Sequence, residues 1–344
     1  TGLLEYKNVY RPVRVRSFDQ ERGTLTLHNY MDFDDIQDFV DICYEVTQDG
    51  LSVQKGKVVG ASAAPHSDCT VGLDIDVPTV GRVYLKLSYQ LKKELPLVSA
   101  GHVLGFDELL LENKDGRNQT AAKWTASDVA VSDIRVEEDD AWIVLNGDGF
   151  TYRLDKRTGL FSGLQYAGRE YLNHPMELNI WRAPTDNDMY IRAEWEKAHY
   201  DEAYTRAYSE QILQNKFGVM IMCHAGVVAP TVQKLIDVEI MWKIDGAGRI
   251  AAGITAVKDE ELPDLPRFGI RMFLDKKLSE AAYYGMGPQE SYRDKHRAAS
   301  HGLFRSSVQE LHEDYIRPQE NGSHTDCEYV ELNNSRYGIV ASAE

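Results

Sequence analysis

The chain has 344 residues, which at roughly 150 residues per domain predicts two domains, with three as the upper reading. Apolar residues make up 43% and charged residues 27%, a balance that excludes a disordered chain. With 38 Lys and Arg against 54 Asp and Glu the net charge is −16, so neither nucleic acid nor an anionic membrane surface is expected as a partner, since both reward a basic face.

The N-terminus, Thr1-Gly2-Leu3-Leu4-Glu5-Tyr6, has no initiator Met, no basic region and no apolar run. It therefore reads as a piece of a longer chain without a visible signal peptide, and it leaves the compartment open. No stretch approaches the roughly 18 apolar residues of a membrane-spanning helix. The four cysteines, Cys43, Cys69, Cys223 and Cys327, are far apart and form no CxxC pair. That excludes a zinc ribbon and a disulfide-dense scaffold.

Along the chain the dominant period is two. Val83, Leu85, Leu87, Tyr89 and Leu91 fall on one side of 82–91, the mark of a half-buried strand. Polar, aperiodic residues over 113–128 predict a linker. The acidic run Glu137-Glu138-Asp139-Asp140 reads as a solvated turn. A helix is expected over about 190–214, where Ile191, Trp195, Ala198, Ala203 and Ala207 are spaced among charges without Pro or Gly. Residues 237–244 return to period two with Val238, Ile240, Trp242 and Ile244, as do 268–274 with Phe268, Ile270, Met272 and Leu274. A second short helix is expected at 307–314. Gly- and Asp-rich turns, Asp49-Gly50, Asn146-Gly147-Asp148-Gly149, Asp245-Gly246 and Asn321-Gly322, separate the strands. The pattern predicts an all-β chain of antiparallel sandwiches with one or two short helices. No GxGxxG motif or βαβ rhythm points to a nucleotide fold.

Three segments hold side chains suited to chemistry. Residues 180–188, I-W-R-A-P-T-D-N-D, set Arg182 ahead of Asp186, Asn187 and Asp188. These oxygens suit sugar hydroxyls or a hard cation; the plainer reading makes Asp188 the N-cap of a helix starting near Tyr190. Residues 283–293, Y-Y-G-M-G-P-Q-E-S-Y-R, place Gln289, Glu290 and Tyr292 beyond a tight turn. Aromatic faces beside amide and carboxylate groups suit sugars, whereas the plainer reading is a turn with a surface Glu290–Arg293 pair. Residues 315–324 repeat this chemistry with Glu320, Asn321 and His324, as a hairpin turn or as a ligand rim. No GxSxG elbow supports a serine hydrolase. Glycosidase carboxylates about 5–5.5 Å apart need a rigid scaffold, and no (β/α)8 rhythm is present.

Taken together these segments resemble the C-terminal part of the large bacterial β-galactosidases of glycoside hydrolase family 2. Leu3 to Lys7 is similar to the exit from that family's catalytic barrel. Val13 to Glu112, with Ser99-Ala100-Gly101-His102, resembles its penultimate immunoglobulin-like domain. Four runs resemble its last, galactose-mutarotase-like sandwich in order: Phe150 to Leu164, Trp181 to Asp188, Gly285 to Tyr292 and Pro318 to Gly322. The resemblance implies domains at 1–112 and 129–344 joined by the linker 113–128, the second truncated at its C-terminus. It implies a parent that hydrolyses terminal β-D-galactosides with retention. It places the two catalytic glutamates and the magnesium ligands in a barrel outside this chain, so no catalytic residue, metal ligand or cofactor is expected here. The family's last sandwich also carries a tryptophan beyond the stretch resembling Glu331 to Tyr337; the last Trp here is Trp242. Implied partners are the galactoside, the barrel of the same parent and a homo-oligomeric copy. Arg182, Asp186, Asn187, Asp188, Gln289, Glu290, Tyr292, Glu320 and Asn321 are expected at the sandwich mouth, against carbohydrate or as a domain-interface network. The alternatives are a free-standing mutarotase or epimerase and a carbohydrate-binding module.

Overall fold

A computed structural model describes residues 2–125, 133–231 and 234–343. The end of the expected linker, 126–128, and the start of the expected second domain, 129–132, lie outside the described residues. The chain forms two compact units. One comprises Thr1–Ala126, Ser279–Asp314 and Asn321–Glu344; the other comprises Ser127–Leu278 and Tyr315–Glu320.

The first unit begins with helix α1 (Gly2–Val9) and seven strands: β1 (Val13–Asp19), β2 (Thr24–Asn29), β3 (Val40–Gln48), β4 (Leu51–Lys57), β5 (Asp68–Gly72), β6 (Val83–Leu91) and β7 (Val103–Leu110). The single turn α2 (Ile36–Phe39) is N-capped by Asp35, whose carboxylate accepts from the Gln37 amide. The strands form two antiparallel sheets, β1-β2-β5 and β4-β3-β6-β7. Three strands facing four is the grouping of an immunoglobulin-like sandwich. The period read at 82–91 is strand β6, with Val83, Leu85, Leu87, Tyr89 and Leu91 all buried. Leu25, Leu27, Ile42 and Val46 pack against that face to make the core. Within the stretch 113–125, Asn118 caps helix α3 (Gln119–Thr125) by accepting from the amides of Thr120 and Ala121.

The second unit holds β8 (Arg135–Glu138), β9 (Trp142–Gly147), β10 (Phe150–Asp155), β11 (Leu160–Tyr166), β12 (Arg169–Glu170), β13 (Leu172–Asn179), β14 (Tyr204–Asn215), β15 (Gly218–Val228), β16 (Lys234–Asp245), β17 (Ile250–Lys258) and β18 (Gly269–Leu274). They form a five-stranded sheet β12-β11-β10-β9-β8, a four-stranded sheet β14-β15-β16-β17 and the pair β13-β18. Their apolar faces share one core, in which Trp242 is fully buried against Phe161 and donates to the Gly159 carbonyl at 2.8 Å. The acidic run ends β8 in a turn, where the Asp139 carboxylate accepts from the amides of Ala141 and Trp142.

The helix expected over 190–214 is corrected by the structure. Helix α4 covers only Arg192–Lys197, and His199 at φ +57° breaks the helical path. From Tyr204 the chain is strand β14, paired with β15 along its whole length. Tyr204, Thr205, Tyr208 and Ile212 suit a pleated surface, and eleven paired residues outweigh the helical preference of the alanines between them. The helix expected at 307–314 is a single 3-10 turn, Val308–Leu311, closed by reciprocal bonds between Ser307 and Glu310.

The remaining strands, β19 (Glu280–Gly287), β20 (Ser300–Ser307), β21 (Tyr329–Asn333) and β22 (Gly338–Ser342), form the sheet β20-β19-β21-β22. This sheet belongs to the first unit. The β3–β4 hairpin tip abuts β20 so closely that a Cβ on Gly50 would lie 2.3 Å from the Leu303 amide nitrogen. Polar bonds continue the seam: Arg82 to Glu328 at 2.7 Å, Lys86 to Ser300 at 2.8 Å and the His301 ring to Glu108 at 2.7 Å. The His301 ring also stacks on Tyr84. From α1, Glu5 accepts from the amides of Arg297 and Ala298, and Asn8 donates to the Arg297 carbonyl.

Candidate functional site

The sequence-chosen residues fall in both units, and each set is described in its own. In the second unit, Ile180 is buried after strand β13, and the Asn179 side chain turns the chain by bonding both the amide and the carbonyl of Trp181. Arg182 then reaches back six positions. Its Nη2 donates to both oxygens of Asp188, at 2.8 and 2.9 Å. The same carboxylate accepts from the Thr185 amide and hydroxyl, at 2.8 and 3.0 Å. Asp188 thus closes a 3-10 turn, Asp186–Asp188, and is not the N-cap expected of it; helix α4 starts at Arg192 with Ile191 ahead of it. Asp186 and Asn187 stay exposed. The strap Tyr315–Glu320 belongs to this unit. Its Gln319 side chain accepts from the Asp186 amide, its Glu320 amide donates to the Ala183 carbonyl, and Arg267 donates to the Glu320 carboxylate.

In the first unit, the turn after β19 carries Glu290, which is 3% exposed. A buried carboxylate needs a cation and donors. Lys295 supplies the ammonium, and the Gly322 amide donates at 2.9 Å. The cation paired with Glu290 is therefore Lys295, in place of the expected Arg293. Gly322 has φ +73°, a left-handed conformation open to glycine at little cost. Tyr292 and Lys295 exchange backbone bonds across the turn. The Ser291 hydroxyl lies 3.0 Å from that of Thr325. His324 sits 3.0 Å from the Met286 carbonyl through Nδ1, with the Tyr283 ring centred 4.4 Å away. Burial pushes its pKa below the ordinary histidine value, while the Met286 carbonyl and the charge of Glu290 pull the other way. Gln289 lines a cleft of about 160 Å³ with Leu4, Asn8 and Phe106. Asn321 is partly buried beside Gly322.

The structure thus joins Arg182 to Asp188, Glu320 to Arg267 and Glu290 to Lys295. Reading by residue type missed Thr185, Arg267 and Lys295. Thr185 had a signal, since a threonine three residues before an aspartate is a reciprocal-cap spacing. Among the described residues no three His, Cys, Asp or Glu side chains gather as a metal site. All four cysteines are free thiols, with Cys223 buried in the second core.

Residues 146–343 match the sequence profile of the family described as "Beta galactosidase small chain". The chain belongs to this family. Residues 25–112 match a second profile, "Beta-galactosidase, domain 4". Among curated relatives, a β-galactosidase of Actinobacillus pleuropneumoniae is 40% identical over 338 residues, covering 97% of this chain and 32% of that protein. One of Staphylococcus xylosus is 27% identical over 350 residues, 100% of this chain and 34% of that protein. One of Priestia megaterium is 25% identical over 346 residues, with 97% and 32% covered. The chain therefore spans about a third of the β-galactosidases it matches, and the two profiles fit a C-terminal region of such an enzyme.

Proposed function

We propose that this chain is the non-catalytic portion of a retaining β-galactosidase, whose parent removes terminal β-D-galactose from galactosides such as lactose. On this reading it buttresses the catalytic barrel, and the barrel carries both glutamates and the magnesium ligands. The observation that carries the reading is the state of the motif carboxylates. Asp188, Glu290 and Glu320 are each held by a cation, Arg182, Lys295 and Arg267. A glycosidase needs one carboxyl kept protonated and a second placed as nucleophile about 5–5.5 Å away. Here each carboxylate is bonded to its cation, and Asp188 and Glu290 also accept from backbone amides, so each is engaged in holding its own turn or strap.

The domain reading that goes with this, immunoglobulin-like over 1–112, linker over 113–128 and mutarotase-like over 129–344, is supported by profile matches that fall on either side of the linker. The galactoside, the barrel and a second copy of the parent are the partners we assign. The purified chain is expected to leave a chromogenic β-galactoside unhydrolysed; turnover that follows the pure chain through gel filtration would overturn the assignment.

A second reading, a sugar mutarotase, has one observation in its favour: His324 feels the charge of Glu290, and a histidine with a glutamate is the acid–base pair such chemistry uses. Polarimetry on fresh α-galactose separates the two, since acceleration abolished by Glu290→Gln would favour the mutarotase. A carbohydrate-binding module without chemistry would show heat on titration with lactose and no change in either assay.

A further inference from the structure

The four-stranded sheet of the second unit ends on strand β17, Ile250–Lys258, whose backbone pairs only with β16 among the described residues. The register with β16 runs without a bulge. From Ile250 to Val257 the side chains are Ile, Ala, Ala, Gly, Ile, Thr, Ala and Val, with no charge and no Pro. A free strand edge offers unpaired amides and carbonyls, and proteins usually guard it with charges, bulges or a short length. Other edges here are guarded. Strand β4 carries Lys55 and Lys57, and β8 carries Arg135, Glu137 and Glu138. Strand β14, at the far side of the same sheet, carries Arg206, Glu210 and a register shift. Strand β22 is also uncharged but has only five residues. Strand β17 has nine and no such device.

This edge is also bare on both faces. Ala252 and Ala256 stand opposite Trp242 and Val238, which are buried, so all four point to the core side. Yet Ala252 and Ala256 are exposed, as are Ala251, Thr255 and Val257 on the outer side. The layer that covers the core therefore stops short of this strand.

The ends of the strand decide what fits beside it. Arg249 precedes it and Asp259 follows it. Antiparallel pairing with a copy of itself, about a two-fold axis at Ile254, sets Ile254 against Ile254 and Ala252 against Ala256. It also sets Arg249 of each copy against Asp259 of the other. Opposite charges facing across strands stabilise a pair, and like charges weaken it. Lys258 stays out of the way, since its ammonium is turned to the carbonyls of Asp259 and Leu262. A two-fold contact of this kind closes on itself at two copies.

We propose that β17 pairs edge to edge with β17 of a second copy of this chain, joining the two four-stranded sheets into one. The inference names a surface for the second copy assigned above. It does not rest on the galactosidase reading, because the edge lies wholly in this chain and its test needs no enzyme assay.

The test follows the intact chain by sedimentation velocity over a dilution series, with amide hydrogen exchange read at low and high concentration. A monomer–dimer equilibrium is expected, with protection of alternate amides in Ile250–Lys258 rising as the dimer forms. Thr255→Lys adds a guarding charge at an exposed site and should raise the dissociation constant about tenfold or more. Asp259→Lys sets like charges against each other at Arg249 and should weaken the dimer in the same direction. Circular dichroism checks that both variants are folded. A chain still monomeric at about 1 mM or a dimer indifferent to both substitutions would overturn the proposal. So would β17 amides already protected in the monomer, the outcome if another segment of the chain covers the edge.

Discussion

Replacing Asp188 tests the account of the Trp181–Asp188 segment most directly. Its side chain is 9% exposed and that of Arg182 is 21% exposed. It takes two bonds from one guanidinium nitrogen and two from Thr185. Asp188→Ala removes all four and leaves a guanidinium mostly shielded from water, near the Trp195 ring. Breaking one side of a buried pair costs about 3–5 kcal/mol. Asp188→Asn keeps one oxygen for the Thr185 amide and loses the charge and the second acceptor, about 1.5–3 kcal/mol. Four of the five tryptophans, Trp142, Trp181, Trp195 and Trp242, lie in the second unit, so intrinsic fluorescence during urea unfolding reports that unit. The expected order is wild type, Asn, then Ala. A loss below about 1 kcal/mol for Ala would refute the claim that this pair holds the segment, and equal losses for Ala and Asn would refute the division between charge and turn closure.

Gly50→Ala meets both a positive φ of 82° and the Leu303 backbone, whereas Gly60→Ala meets a φ of 79° and open space. Thermal melts should show Gly60→Ala losing about 1–3 kcal/mol and Gly50→Ala losing clearly more; equal losses would mean that the hairpin tip does not press on β20. His324 has a folded-state pKa below its unfolded value because burial disfavours its charge. Its contribution is therefore fully present above the unfolded histidine pKa of about 6.5 and is lost progressively as pH falls below that value through the lower folded one. His324→Asn should flatten the stability profile between about pH 7 and 5, and an unchanged slope would remove His324 from the account. Trp242→Phe removes the donor to the Gly159 carbonyl and should cost about 1–3 kcal/mol, with Phe161 packing kept in part; circular dichroism melts read the loss, and a neutral result would show that carbonyl to be satisfied otherwise.

What could be read in advance was whatever repeats at short range. Strands β6 and β16 declare themselves because every second residue, Val83 to Leu91 and Val238 to Ile244, is buried. Strand β19 gave no such signal, since Ala281 to Gly287 are buried on both faces and a strand covered on both sides has no polar phase to alternate. Strand β14 looked helical because alanines and spaced charges fit either period, and the true break is the left-handed His199, a conformation that is uncommon even for the residue types enriched in it. The motif carboxylates were visible as residue types. Their cations were not: Arg267 is 53 positions from Glu320, and Lys295 follows Glu290 by five positions, a spacing set by one turn and by no regular period. Nor does local pattern foretell that Ser279–Asp314 and Asn321–Glu344 join the first unit, because Gly50 against Leu303 and Glu108 against His301 are contacts between elements some two hundred positions apart.

The distribution of cations links these observations. A chain with 54 acidic side chains has no shortage of carboxylates, so burying one such as Glu290 needs a neighbour of opposite sign to offset its desolvation. At Asp188, Glu290 and Glu320 that neighbour is present, and each pair presents little net charge. Segments built this way hold their turns closed without leaving a strong field, which is why the carboxylates sit there as fixed acceptors and not as free charges.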